Sequence, residues 1–207
     1  MKWTDAAIVA LDPTDPIVMR HARAWRDRYS IPMDRCFAYS NTAIDGFQPA
    51  EAHSLSFAGL STKLIVVCHG LEQGLVVQRR LCFAESAAGL LVAWGLRSVG
   101  LISFKACLLG AGTFLNDVEA DLRRRRVQIG WLIGYRYAVR LGAGRHEVAF
   151  YDDERIHVDE RIRLATNWSA KQADEGRVKI VKGNVHVVPP AGPTKRFPLP
   201  HRLETLV

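Results

Sequence analysis

The chain has 207 residues, 48% hydrophobic and 24% charged, with a formal net charge of +7 and a pI near 9.5. That length can bury one substantial core and that balance is ordinary for a globular domain, which excludes a fibrous or disordered chain. No run of about 18 apolar residues exists, so no membrane span is expected, and four cysteines without paired spacing exclude a disulfide framework or a zinc site.

Met1-Lys2-Trp3-Thr4-Asp5 leads straight into a short apolar run rather than a long signal core. The protein is therefore expected to work in a cytoplasm, that of its own cell or of a target cell reached by export without a cleavable signal. Residues 6–11 read as a first strand closed by Asp12-Pro13. Asp15-Pro16 then supplies an N-cap and an N1 proline for a helix reaching about Tyr29. Residues 40–61 are polar and irregular. A strand runs into His69, followed by a loop or short hairpin through Gln78-Arg79-Arg80, and a helix from near Glu85 to Trp94 stops at Gly95. The next strand ends at Cys107. Beyond the glycines of Leu109-Gly110-Ala111-Gly112, residues 113–125 have helical periodicity and residues 127–141 read as strand. Alternating strands and helices argue a parallel sheet with right-handed crossovers.

After Gly144 the pattern changes. Residues 146–151 look like a strand, 154–166 are ambiguous, and 178–181 with 185–188 flank Lys182-Gly183-Asn184 as a hairpin. The tail from Pro189 carries Pro190, Pro193, Pro198 and Pro200 and reads as extended chain. The expected organisation is one domain over 1–207: a core of 1–144, strands and a hairpin over 145–188, and a Pro-rich tail over 189–207.

Two blocks carry chemistry. Leu64-Ile65-Val66-Val67-Cys68-His69-Gly70 is an apolar run ending in an imidazole, and Leu101-Ile102-Ser103-Phe104-Lys105-Ala106-Cys107 is another ending in a thiol, 38 residues after that histidine. Such runs read as strands buried on both faces, and ligands bind at the carboxyl ends of strands in open α/β sheets. A free thiol with a pKa of ~8.5 is only a few per cent thiolate at neutral pH, so a nearby imidazole is needed to take its proton. Cys107 would attack a carbonyl and His69 would protonate the leaving amine. The backbone N–H groups of Gly70 and Cys107 would receive the oxyanion, with Gly70 allowing close approach. Taken singly, a Cys ending an apolar strand is a buried small hydrophobe and a lone His-Gly is a turn. Cys68 points to the opposite face and reads as core; Cys36 and Cys82 carry no motif.

At Val66-Val67-Cys68-His69-Gly70 and Ile102-Ser103-Phe104-Lys105-Ala106-Cys107 the sequence resembles the caspase-like (clan CD) cysteine peptidases, which include caspases, legumain, clostripain, gingipain, separase and autoprocessing toxin domains. Ala106-Cys107-Leu108-Leu109-Gly110 looks most like the clostripain branch. The resemblance covers residues 64–135, roughly a third of the chain. It implies an α/β caspase-like fold, an open and mostly parallel sheet sandwiched by helices, here with a β-rich C-terminal extension. It also implies a thiol endopeptidase, of effector or toxin type, acting on protein or peptide substrates and possibly on itself, with a His69–Cys107 dyad and no required cofactor.

Clostripain-like and metacaspase-like members carry an acid two residues before the nucleophile, where it helps hold a basic side chain of the substrate. This sequence has Lys105 there, so cleavage after an acidic or uncharged residue is expected if Lys105 faces the site. Asp12, Asp45, Glu72 and Asn41 are the candidates for a group orienting His69. Some toxin-borne relatives are switched on by inositol hexakisphosphate held on basic residues, and Arg123, Arg124, Arg125 and Arg126 with Lys179 and Lys182 are the candidates for such a site. The same arginine run at a helix C-terminus also complements the macrodipole. Two other readings remain: a catalytically silent caspase-like scaffold that binds a partner or polyanion, and a basic nucleic-acid-binding protein.

Overall fold

The computed structural model describes residues 3–136, 138–141, 148–151 and 178–187. Asp5–Ala10 forms β1, and its apolar run is buried because strands cover it on both sides and helices on both faces. Asp12-Pro13 ends it. The side chain of Asp15 accepts from the N–H groups of Ile17 and Val18, which starts helix α1 at Pro16–Tyr29, and Ser30 in the left-handed region stops that helix. The sequence places both of these elements within a residue of where they lie.

The order continues with β2 (Cys36–Ala38), β3 (Gln48–Pro49), β4 (Thr62–Val67), β5 (His69–Leu71), β6 (Gly74–Val77), β7 (Arg80–Cys82), α2 (Ala84–Ala93) and β8 (Ser98–Lys105). Then come α3 (Phe114–Arg124), β9 (Gln128–Tyr135), β10 (Ala138–Leu141), β11 (Val148–Tyr151) and β12 (Val178–Lys182). Seven strands form one sheet in the order β12-β9-β8-β4-β1-β2-β3, parallel throughout except for β12. Hairpin strands β5, β6 and β7 form a small sheet of their own, and β10 pairs with β11. The fold is thus α/β with a mostly parallel mixed sheet.

Alternation along each strand sorts the core into two layers. Ile8, Ala10, Ile65, Val67, Leu101 and Ile133 face α1 and its Val18, Met19, Ala22 and Trp25. On the other side Val9, Val66, Ile102 and Phe104 pack with Ala87 and Leu91 of α2 and with Phe114, Leu115, Val118 and Leu122 of α3. After β1 the chain crosses by α1 towards β2; after β4 it crosses the opposite way, by α2 to β8. The reversal lies between β1 and β4, the place where open sheets leave a crevice at their carboxyl ends.

Three expectations need correction. Residues 40–61 are not simply polar surface, since Phe47 and Leu55 are fully buried and β3 joins the sheet edge. The expected hairpin of 178–181 with 185–188 does not form among the described residues. Asn184 holds its segment against the start of β9 instead, its Oδ1 accepting from Ile129 N–H at 2.8 Å and its Nδ2 donating to the Val127 carbonyl at 2.8 Å. As a result β12 pairs with β9 and completes the core sheet rather than an extension from it. The strand expected over 127–141 breaks at Arg136, separating β9 from β10. Residues 154–166 and the tail from Pro189 lie outside the described residues.

Candidate active site

Val67 of β4 pairs with Lys105 of β8. His69 and Cys107 each lie two residues beyond that pair, so both leave the sheet at its carboxyl edge from neighbouring strands, whose spacing is about 4.8 Å. The two main chains meet there: a β-carbon built on Gly70 would collide with the Cys107 carbonyl and lie 3.0 Å from the Ala106 β-carbon. Close approach is what the glycine was expected to provide.

Side-chain direction follows the pleat. Cys68 and Ala106 are buried in the α2–α3 layer, and the Cys68 thiol donates to the Val76 carbonyl at 2.9 Å. His69 turns to the α1 side, where its Nε2 lies 3.2 Å from Asp15 Oδ2. Cys107, two residues beyond Lys105, shares that side by the same alternation. Both are half-buried, and therefore reachable from solvent. The next residue, Leu108, takes a positive φ of 61°, a strained turn that carries the chain away from the site. The Gly110 N–H then donates to the Tyr135 carbonyl at 2.7 Å.

Asp15 is the polar partner of His69 that sequence reasoning missed, having read it only as a helix cap. One carboxylate serves both: Oδ1 accepts from Ile17 and Val18 N–H at 2.7 and 3.1 Å, and Oδ2 faces the imidazole. Burial pushes its pKa up, but the two backbone hydrogen bonds and His69 outweigh burial and leave it lowered. The signal was present, because the helix after β1 starts at the same sheet edge from which His69 emerges. The four expected candidates are occupied elsewhere or exposed. Asp12 accepts from Thr14 Oγ1 at 2.9 Å and Gln78 N–H at 3.1 Å, and Asp45 pairs with Arg23 at 3.2 Å. Asn41 and Glu72 are exposed. His21 completes the surroundings, its pKa pushed down to about 4 by burial and then by the charges of His69 and Arg20.

The double duty of Asp15 has a signed pH consequence. A carboxyl whose folded pKa is lowered stabilises the fold above its unfolded value of ~3.9, and that gain is lost as pH falls through the folded value. Asp15→Asn keeps a capping oxygen but no charge. It is expected to cost about 0.5–1 kcal/mol at pH 7 through the helix dipole and His69. Urea denaturation should show that deficit shrinking towards zero as the pH is taken below the acid range of the native carboxyl.

Lys105 faces the same side as Cys107. Its Nζ is 2.9 Å from Tyr135 Oη and 4.2 Å from the centre of the Trp25 ring. Burial lowers its pKa well below the usual lysine value, and the charges of Lys63 and Arg28 lower it further. Its ammonium is thus packed between Tyr135 and Trp25 in the layer under α1.

Of the residues expected to hold a polyanion, Lys179 stands apart from the arginine run, whereas Lys182 pairs with Trp131 near the start of β9 that follows that run. Arg123 pairs with Glu119 at 3.8 Å and Arg124 with Asp121, both on their own helix at the C-terminal end of α3. Lys179 donates to the Gly112 carbonyl at 2.7 Å, beside the opposite end of α3. Eleven helical residues, about 16 Å, separate the two ends. Arg125, Arg126 and Lys182 are exposed. Among the described residues no group of three or more His, Cys, Asp or Glu side chains could hold a metal ion, and no helix is long and apolar enough to cross a membrane.

The arrangement brings an imidazole resting on a carboxylate and a thiol to the carboxyl ends of neighbouring strands. No protein-family profile matches the chain, and no curated protein matches it.

Proposed function

We propose that the protein is a cysteine endopeptidase in which Cys107 is the nucleophile and His69 the general acid and base. One observation carries the reading: His69 and Cys107 stand at the carboxyl ends of adjacent parallel strands, on the same side of the sheet, with Gly70 against the Cys107 main chain. The imidazole takes the thiol proton, and the thiolate attacks the scissile carbonyl to form a C–S bond. The Gly70 and Cys107 N–H groups receive the oxyanion. His69 then passes its proton to the leaving amine as the C–N bond breaks. Water attacks the thioester, giving up its proton through His69, and the acid product leaves with the thiol restored. Asp15 holds the imidazole while this happens. The caspase-like resemblance agrees with the order of the two blocks and with the parallel sheet.

Selective alkylation tests the assignment. Burial pushes the Cys36 thiol up to about 11, raises Cys68 further with Asp12 adding to it, and raises Cys82. At neutral pH one equivalent of iodoacetamide is expected to modify Cys107 before the other three, as read by peptide mapping, and to stop cleavage of a casein substrate in proportion. Equal labelling of Cys82, or full cleavage after Cys107 is blocked, overturns the proposal.

A further inference from the structure

The small sheet of β5, β6 and β7 has two unlike faces. Its register sets Gly70 opposite Leu75 and Leu75 opposite Cys82, and it sets His69 opposite Val76 and Val76 opposite Leu81. Paired residues share a face, and Leu75 and Cys82 pack into the α2–α3 layer. The row of His69, Val76 and Leu81 therefore looks outward. Leu71, two residues beyond His69, joins that row by alternation, as does Phe83, two beyond Leu81 and still extended. Leu71 is 45% exposed, Leu81 37% and Phe83 57%, three of the seven exposed large apolar side chains among the described residues. Single exposed apolar residues need no account, but several gathered on one face mark a contact surface. Phe83 adds an independent sign. It stands at the N-cap of α2, where Ser, Thr, Asp or Asn would bond the first turn, and it makes no such bond. A helix cap is given up there for an aromatic ring in solvent, the kind of local conflict that functional surfaces show.

Both ends of this platform are fixed to the site. At the β6–β7 turn the Gln78 N–H donates to Asp12 Oδ2 at 3.1 Å. At the β5–β6 turn a β-carbon built on Gly112 would lie 2.9 Å from the Glu72 carbonyl, so the loop that follows Cys107 is packed against the platform. Position then decides the occupant. His69 hands its proton to the leaving amine, so the substrate chain beyond the scissile bond departs over the face that carries His69. From His69 that face extends across two strand spacings, about 10 Å, the length of about three residues of extended chain. We infer that the platform of Leu71, Val76, Leu81 and Phe83 receives apolar side chains among the first three residues after the scissile bond and selects substrates by them. This inference rests on the peptidase reading. A second copy of the chain fits the face less well, because a dimer seated there would cover the His69 imidazole, whose side chain is 41% exposed.

Two measurements separate the platform from the chemistry. In the first, wild-type protein digests a random peptide library and the new amino termini are sequenced. Leu, Ile, Val and Phe are expected to be enriched several-fold within the first three residues. A cleaved peptide and its analogue with serine at those positions should differ on the order of tenfold in kcat/KM. The triple variant Leu71→Ser, Leu81→Ser, Phe83→Ser changes exposed side chains and opens no cavity, and it should bring the two peptides within about twofold of each other. In the second, nitrogen-15-labelled Cys107→Ala protein is titrated with a free-amino-terminal peptide beginning in three leucines and with its triserine analogue, which needs no turnover. The leucine peptide should bind at least tenfold tighter, with the Leu71, Val76 and Leu81 amide signals moving most. Cleavage without enrichment, together with equal binding of the two peptides, overturns the platform while leaving the peptidase standing. A dimer in sedimentation that the triple variant dissolves also overturns it, since the face then belongs to a second copy. Leucine-selective binding at these amides without any cleavage by wild type upholds the apolar peptide site and overturns the peptidase.

Discussion

Cys107→Ala is expected to lower kcat for peptide hydrolysis by about 10³-fold or more, and His69→Ala by a comparable factor. The two residues act as one unit, because the thiolate exists to be used only while the imidazole can accept and return its proton. The double variant should therefore be scarcely slower than either single one. Loss of fold does not account for such a result. The His69 side chain is 41% exposed and Cys107 is half-buried, so neither truncation opens a sealed cavity, and the melting temperature should move by no more than a few degrees. Cys68→Ala provides the contrast. Cys68 is next to His69 in sequence but faces the α2–α3 layer, with its thiol on the Val76 carbonyl. It should lose about 1 kcal/mol of stability and keep its kcat. Stopped-time assays with urea melts on all four proteins check these expectations. Full activity in Cys107→Ala removes the nucleophile and favours a scaffold whose work is binding.

The placing of His69 and Cys107 at neighbouring strand ends was legible because hydrophobic periodicity and a terminal reactive residue are both local signals. Six consecutive buried residues in β4 could only be a strand covered on both faces, and the register that sets His69 beside Cys107 follows from parallel pairing. Asp15 was half legible. Its capping role is written in Asp15-Pro16, but its contact with His69 depends on which way α1 crosses the sheet, a property of strand order that no local pattern encodes. The failed hairpin at 178–188 shows the same limit from the other side. Lys182-Gly183-Asn184 is good turn chemistry, yet β9 offered an unpaired edge, and the Asn184 amide found two backbone partners on it. Local propensity lost to a tertiary competitor. Lys179 was grouped with the arginines by charge alone, whereas α3 is long enough to keep that lysine and the arginines at its two ends.

Gly70→Ala is expected to damage chemistry more than stability. A β-carbon there meets the Cys107 carbonyl, the Ala106 β-carbon at 3.0 Å and Leu109 Cγ at 3.2 Å, so the ends of β4 and β8 must part to admit it. Two of these three neighbours are backbone or a β-carbon and cannot rotate away. Overpacking of this kind costs about 1–3 kcal/mol. The same displacement falls on the one pair of residues whose separation the reaction depends on. A misplacement near 1 Å can cost on the order of 100-fold in rate, and kcat/KM should fall by that much. Gly183→Ala supplies a matched control. Its β-carbon would collide with the Ile129 carbonyl at the opposite end of the sheet, beside the start of β9. It should therefore lose stability to a similar degree while keeping kcat. Gly59→Ala, with nothing within 4 Å of the new carbon, should change neither. If Gly70→Ala and Gly183→Ala lose stability equally and both keep full activity, the close approach at Gly70 is a packing device and the oxyanion role assigned to its N–H falls with it.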